Sequence, residues 1–359
     1  MRYAMAVVFS FVAIPVFAAT DTWTGVVSNV WSVAGNWSGS VPAAGDDLVF
    51  PASGMNQTTS NDLTPGMAFN SITITGGKYT LNGNGIALGA GGLTLTSATA
   101  FQTMNLPITL SAPQTWNLDS TGFFIFIDGS TNLNGMALTV KYANNNIEQW
   151  PGVIAGDGSI TTTGGFGGPI LQGANTTTAP LTANGPVFVR GSYPGAITLN
   201  AAVIGLEIAL GPGATVGAVT INQGSLFLPL NPGGTATAAS LNVTAGFPLT
   251  SLVMTVAGTT PGTFSQLRVP NPGTVTLSNM QLSISGGAVD TAVPVGSVLT
   301  IIDNQGSGPI NGTFSGIPEG GSVLSAGTHQ LFIVSYVGGT GNDVTLTALG
   351  LARRRSVRH

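Results

Sequence analysis

The sequence predicts an all-β protein that folds as a parallel β-helix, and its composition is the first evidence. The chain has 359 residues, of which 52 are Gly, 21 are Pro and none is Cys, and only 6% are charged. Helical bundles and α/β enzymes need helix faces rich in Lys, Glu and Arg, and frequent Gly destabilises helices. A hydrophobic content of 43% is also too high for a disordered chain. An all-β protein remains.

A short unit, a Gly followed by alternating apolar and Thr residues, recurs along the chain and predicts the strands. This alternation is typical of a half-buried strand that begins after a turn. Several spacings between copies are close to one or two times about 22 residues, which favours coils of a solenoid over tandem β-sandwiches. In such coils the apolar side chains stack inward, and Thr and Asn face outward or lie at corners. Copies begin at Gly92, Gly135, Gly158, Gly195, Gly217 and Gly273.

The order of segments predicts an exported protein. Residues 1–19 read as a signal peptide, because Arg2 precedes an apolar run and small residues allow cleavage after Ala18 or Ala19. A β-helix leaves open strand edges at both ends, so caps are required. We therefore predict an N-terminal Trp-rich cap over residues 20–67 and a β-helix over 68–347. A C-terminal β-rich cap starts at about residue 251, and a basic tail covers residues 348–359.

Three of the five Trp residues lie in the predicted N-terminal cap. We expect Trp23, Trp31 and Trp37 to cover the bottom of the apolar core, because clustered Trp residues usually pack together. We expect Asp46 and Asp47 to be solvated at a turn. The alternative is that the three rings are exposed and stack on sugars.

The two ends also resemble a known family. Trp23-Thr-Gly25, Asn36-Trp37, Pro42 and Gly45-Asp46, followed by an apolar strand, resemble the N-terminal cassette of bacterial autotransporter-associated β-strand repeat proteins. The C-terminal region, which includes Val334–Leu346, is similar to the same group. The resemblance implies a right-handed β-helical passenger of the adhesin type, at the surface of a Gram-negative bacterium. Many such proteins continue into a translocator barrel; we expect none here, because the chain ends shortly after Leu346, at His359.

Residues suited to catalysis are few. Without Cys there is no thiolate nucleophile, and His329 is the only His before the terminal His359. It lies in a predicted turn, where we expect exposure to solvent rather than a role in a triad. Four acids fall in one part of the chain, so that neighbouring coils could bring two of them together as in polysaccharide-active enzymes. They are Asp119, Asp128, Glu148 and Asp157. We interpret them as loop acids and keep the enzyme as the alternative.

One motif suggests calcium. The segment from Gly338 to Asp343 matches the GGxGxD core of calcium-binding β-roll repeats, in which Asp supplies an oxygen ligand. Such sites need a second repeat to complete the coordination, and the chain contains one copy. We therefore predict a structural turn at Asp343 and no cofactor, with Ca²⁺ as the alternative.

The balance of basic and acidic residues excludes nucleic acids as partners. Between residues 20 and 352 there are four basic residues and 13 acidic ones, and such a surface cannot neutralise a nucleic-acid backbone. We expect a non-catalytic, secreted or cell-surface protein, adhesin-like or structural, that binds through an extended Thr- and Asn-rich face. Its expected partners are cell-surface glycans or proteins, or further copies of itself, and we expect no membrane span after signal cleavage. The alternative is a polysaccharide-active β-helix enzyme, either a glycoside hydrolase or a lyase.

Overall fold

The structure is a computed structural model that describes residues 18–96, 101–118, 125–142, 147–164, 168–200, 207–228, 233–244, 250–278, 280–285 and 290–351. Most of the predicted signal peptide (residues 1–17), Asp119 and tail residues 352–359 lie outside these ranges. No helix in the described ranges has the length and apolar character needed to cross a membrane.

The described residues form thirty-two strands and one short 3₁₀ helix, Ala34–Asn36. The first eleven strands are β1 (Thr20–Thr22), β2 (Asp47–Phe50), β3 (Thr58–Asn61), β4 (Met67–Ile74), β5 (Thr80–Gly83), β6 (Ile86–Leu95), β7 (Gln102–Met104), β8 (Ile108–Leu110), β9 (Gln114–Leu118), β10 (Ile125–Ile127) and β11 (Thr131–Asn132). The next eleven are β12 (Met136–Tyr142), β13 (Ile147–Trp150), β14 (Ile154–Ala155), β15 (Gly158–Gly164), β16 (Gly168–Leu171), β17 (Leu181–Ala183), β18 (Val187–Val189), β19 (Ser192–Tyr193), β20 (Ile197–Asn200), β21 (Glu207–Leu210) and β22 (Thr215–Gln223). The last ten are β23 (Ser225–Phe227), β24 (Gly234–Val243), β25 (Ser251–Met254), β26 (Ser265–Val269), β27 (Val275–Thr276), β28 (Gln281–Ile284), β29 (Val298–Asn304), β30 (Ser322–Leu324), β31 (Gln330–Gly338) and β32 (Asp343–Leu351).

Successive coils pair in parallel, which confirms the predicted parallel β-helix. Leu93 on β6 is in register with Trp116 on β9, and Trp116 is in turn in register with Val140 on β12, one coil later. One side of the coil is an eleven-stranded sheet that runs from β3 to β28. The other sides form a second sheet, in which long strands such as β6 bend and pair with two shorter strands of the next coil, β8 and β9.

The core is built from columns of apolar side chains, one from each coil. Along one column the register links seven residues of successive strands, each at most 3% exposed. Burying one such side chain stabilises the fold by roughly 1.5 to 3 kcal/mol. Between these residues the alternate positions point outward, as strand geometry requires. The column consists of Leu138, Ile160, Leu181, Ile197, Val219, Leu241 and Val275.

At the N-terminus the parallel stack begins earlier than predicted. β1 pairs with β2, and β2 pairs with β4, all in parallel. The predicted boundary between residues 67 and 68 therefore falls inside β4. The first coil and its cap are interleaved in the sequence, because the segment between β1 and β2 folds over the end of the core while both strands join the stack.

At the C-terminus the stack ends where the strands reverse direction. β25 and β28 still pair in parallel, so residue 251 lies within the β-helix. β29 pairs in parallel with β26 and antiparallel with β32, which in turn pairs with β31. Residues 348–351, assigned above to the basic tail, continue β32. An antiparallel neighbour needs only a short turn, so it closes the last coil without starting another.

Candidate functional site

The outward side of the β-helix carries a continuous column of hydroxyl and amide side chains. Seven pairings in register place one of them on each successive strand from β9 to β27. With strands about 4.8 Å apart, the column is roughly 34 Å long. We call it the threonine ladder, and it consists of Thr115, Thr139, Thr161, Thr182, Thr198, Thr220, Asn242 and Thr276.

A second polar column lies beside the ladder, two residues further along each strand. Over the first coils the register aligns Thr73, Thr94, Asn117, Lys141 and Thr163. In later coils the column is tied by side-chain hydrogen bonds. Asn222 Nδ2 donates to Asn200 Oδ1 at 2.6 Å, and Thr244 Oγ1 donates to Asn222 Oδ1 at 2.6 Å.

The ladder hydroxyl groups are available to a ligand. The six Thr residues from Thr115 to Thr220 are half-buried, so each presents part of its side chain to solvent. Each hydroxyl can donate one hydrogen bond and accept two. The two columns over β9 to β15 contain one charged residue, Lys141. Apart from Lys141, the arrangement is an uncharged surface with repeated donors and acceptors.

The three Trp residues of the N-terminal segment lie inside the end of the core. Trp23 and Trp31 are fully buried and Trp37 is 5% exposed, so none of the rings offers a face to a sugar. Trp37 contacts Trp23 and Trp31 edge to face, with ring centroids 5.0 and 5.9 Å apart. The indole N–H groups donate to Asn56 O, Thr59 Oγ1 and Trp31 O respectively for Trp23, Trp31 and Trp37. The segment covers the end of the apolar core.

The expectation that Asp46 and Asp47 are solvated is wrong for Asp46. Asp46 is 6% exposed, and its two carboxylate oxygens accept hydrogen bonds from the backbone N–H groups of Ala19 and Ala43 at 3.0 and 2.7 Å. Asp47 is half-buried, and its Oδ1 accepts from Asn70 Nδ2 at 2.7 Å. The Asp46 carboxylate therefore fastens the turn before β2 to the residue before β1, and the Asp47 carboxylate ties β2 to β4.

The strand register keeps apart the described acidic residues that a polysaccharide-active enzyme would need close together. Asp128 follows β10, whereas Glu148 on β13 is in register with Ile125, three residues before Asp128. Three residues of strand correspond to about 10 Å. Asp157 lies in the turn before β15, on another side of the coil, and is exposed. Partial burial raises the pKa of Asp128, as in many general acids, but Glu148 is not beside it in register.

Asp343 lies where the sequence predicts a turn. It is 5% exposed, and its carboxylate accepts from the backbone N–H groups of Asn304 at 2.9 Å and Thr340 at 3.2 Å. Gly339 has a φ of 56°, and a side chain there would collide with the Asp343 carboxylate. The carboxylate therefore holds the β31–β32 turn against the end of β29. Within the described ranges, no three His, Asp or Glu side chains cluster as metal ligands.

Sequence reasoning missed three buried polar residues at the ends. Asn36 is fully buried and hydrogen-bonds to Val27, Ser28 and Val30, which folds the cap loop around it. Gln330 is 2% exposed and joins the backbone of Val293 to Leu349. Asp21 is 2% exposed on β1. An Asn or Gln carries no distinguishing signal in a chain so rich in Asn and Thr, and Asp21 lies in a segment predicted only as a cap.

His329 is exposed, with a φ of 57° in the turn before β31.

A scan against protein-family models finds no match for this chain, and a search of curated proteins finds none either. The resemblance to autotransporter-associated repeat proteins therefore stays a prediction.

Proposed function

We propose that this protein is an exported, non-catalytic binding protein of the adhesin-like or structural type, and that the threonine ladder is its binding face. The observation that carries the proposal is the eight-residue column in register from Thr115 to Thr276. Its chemistry suits a neutral glycan, because sugar hydroxyl groups both donate and accept hydrogen bonds.

The length of the ladder supports a polymeric partner. A single hydrogen bond contributes only about 0.5 to 1.5 kcal/mol net, so one ladder residue binds weakly. A column of about 34 Å can contact several sugar units of one chain at once. Linked weak contacts act together and produce an affinity far above that of each contact.

The positions of the acids support a role without catalysis. Glycoside hydrolysis requires two carboxyl groups on either side of one bond, about 5 to 9.5 Å apart. Asp128 and Asp157 lie on different sides of the coil, and Glu148 is offset from Asp128 in register. We expect purified protein to release no new reducing or unsaturated ends from polysaccharides, and release that is lost in Asp128→Asn or Asp157→Asn would favour the enzyme.

The binding experiment compares two triple variants. Thr161→Val, Thr182→Val and Thr198→Val remove three stacked ladder hydroxyl groups and keep the β-branched shape that suits a strand. The control variant changes Thr58, Thr80 and Thr103 to Val, because these residues are also stacked in register but lie on the eleven-stranded sheet. Both variants lose three hydroxyl groups from outward positions.

Binding is measured as co-sedimentation with insoluble neutral glucans and, separately, with an acidic polyuronate. We expect the ladder variant to bind a neutral glucan at least about tenfold more weakly than the parent, which corresponds to about 1.4 kcal/mol, and the control to bind like the parent. Equal binding by all three proteins would contradict the role of the ladder. Sedimentation velocity of the same three proteins without polysaccharide shows whether the ladder instead mediates self-association.

A further inference from the structure

Two buried carboxyl groups meet at the first strand. Asp21 is 2% exposed and Asp46 is 6% exposed. Burial, and then the closeness of the Asp46 carboxyl group, raise the pKa of Asp21 above its ordinary value. Asp21 Oδ2 is buried without a hydrogen-bond partner. Two carboxylates that lie side by side in a buried place need a proton or a cation between them. In the described part of the chain, no basic side chain makes a contact that would supply this positive charge.

Ala19 lies directly at this pair. Its backbone N–H donates to Asp46 Oδ1 at 3.0 Å, and its carbonyl oxygen accepts from Asp47 N at 2.8 Å. Asp21 also lies beside the Asp46 carboxyl group, so the Ala19 nitrogen and Asp21 meet at the same carboxylate. Ala18 and Ala19 are exposed, so the peptide bond between them lies at the surface.

The residues before Ala19 favour one cleavage position. Signal peptidases require compact residues one and three positions before the cut. Cleavage after Ala18 has Ala18 and Val16 at these positions, whereas cleavage after Ala19 places the large Phe17 third. Cleavage after Ala19 would also remove both backbone hydrogen bonds that Ala19 makes to Asp46 and Asp47.

We propose that the signal peptide is removed between Ala18 and Ala19, and that the α-ammonium group formed on Ala19 binds the Asp21–Asp46 carboxylate pair. Hydrolysis adds one water across the peptide bond. The Ala18 carboxylate leaves with residues 1–18, and the Ala19 nitrogen takes up protons to become an ammonium group. One N–H keeps the bond to Asp46, and the others become donors for Asp21 Oδ2. This proposal rests on the predicted signal peptide and is independent of the proposed binding function.

The consequence is that processing completes the fold at this end. Before cleavage the pair lacks a positive charge, and after cleavage it holds one. The titratable groups that face the new ammonium are Asp21 on β1 and Asp46 before β2. Asp47 on β2 is turned to Asn70 and Ser71.

The test begins with the full chain exported by a Gram-negative host. Intact mass and N-terminal sequencing of the purified protein identify the first residue, which we expect to be Ala19. The pKa of the α-amine is then followed by NMR through the chemical shifts of the Ala19 Cα and Cβ nuclei in ¹³C-labelled protein, which leaves every N–H of the ammonium group in place. We expect a pKa at least about one unit above the ordinary 7.7 to 8.0, because two carboxylates stabilise the charged form.

Asp46→Asn and Asp21→Asn should each lower this pKa toward its ordinary value. Asp62→Asn is the matched control, since Asp62 lies at the same end, is exposed and hydrogen-bonds to Ser32. A first residue other than Ala19, or an α-amine that titrates alike in the parent and both variants, would overturn the proposal. If Asp46→Asn does not fold, the first residue and the Asp21→Asn titration still decide the matter.

Discussion

At the scale of single residues, the N-terminal end depends on a few buried side chains. Trp31 is fully buried, contacts Trp37, Phe50 and Phe69, and donates its indole N–H to Thr59. The ring thus fills space between the cap loop and the first coils. Its loss would leave a cavity that neither layer can close.

We expect Trp31→Ala to lower the free energy of unfolding by about 3 to 5 kcal/mol, as for other buried large aromatic residues. The measurement is denaturant unfolding followed by circular dichroism. Val26→Ala is the control, because Val26 belongs to the same cap but is 58% exposed, and it should change stability by less than about 0.5 kcal/mol. An unchanged midpoint for Trp31→Ala would contradict a packed cap.

The raised pKa of Asp21 leads us to expect that the stability of the unprocessed chain depends on pH. Because its pKa is raised above the ordinary 3.8, the folded chain binds this proton more tightly than the unfolded chain. Stability should therefore fall as the pH rises from 3.8 through the raised pKa, and Asp21→Asn should remove this part of the fall. Urea unfolding of the full 359-residue chain at a series of pH values measures it. Identical pH profiles for the two chains would refute the prediction.

At the scale of strands and turns, the recurring Gly residues have two different roles. Gly92 and Gly135 both begin copies of the recurring unit, and both have positive φ, 65° and 78°. A Cβ on Gly92 would lie 2.2 Å from the carbonyl oxygen of Thr115 in the next coil, whereas a Cβ on Gly135 would meet nothing within 4 Å. Gly92 thus allows two coils to approach, and Gly135 only allows a turn.

Gly135→Ala should cost about 1 to 2 kcal/mol, because Ala must adopt a left-handed conformation. Gly92→Ala should cost about 1 to 3 kcal/mol more than Gly135→Ala, because the backbone of the next coil must shift. Thermal and urea unfolding of both variants measure the difference. Equal destabilisation would show that the coils can separate at Gly92 without cost.

At the scale of the whole molecule, the antiparallel C-terminal strands close the β-helix. β32 covers one edge of β29, which would otherwise offer free N–H and C=O groups to another chain. We expect a chain that ends at Asn304 to form oligomers or aggregates in light-scattering measurements, whereas a chain that lacks only residues 352–359 stays like the parent. A monomeric, folded chain ending at Asn304 would show that this edge needs no cover.

The sequence by itself determined the fold class, the alternation of inward and outward residues and the turn positions. These follow from backbone preferences and from neighbours along the chain, so the Gly-plus-strand units and the buried Trp segment could be identified locally. The threonine ladder was foreseen only as a Thr- and Asn-rich face.

Only the tertiary structure decided which residues of different coils become neighbours. The separation along the chain between paired residues is about twice as large for Leu241 and Val275 as for Ala183 and Leu199, so no constant period reveals the ladder. The register likewise places Glu148 beside Ile125 rather than Asp128, and the folded cap brings Asp46 to Asp21 across the whole segment between β1 and β2. The physical reason is that register depends on the lengths and paths of the loops between strands, whereas side-chain alternation depends on the strand alone.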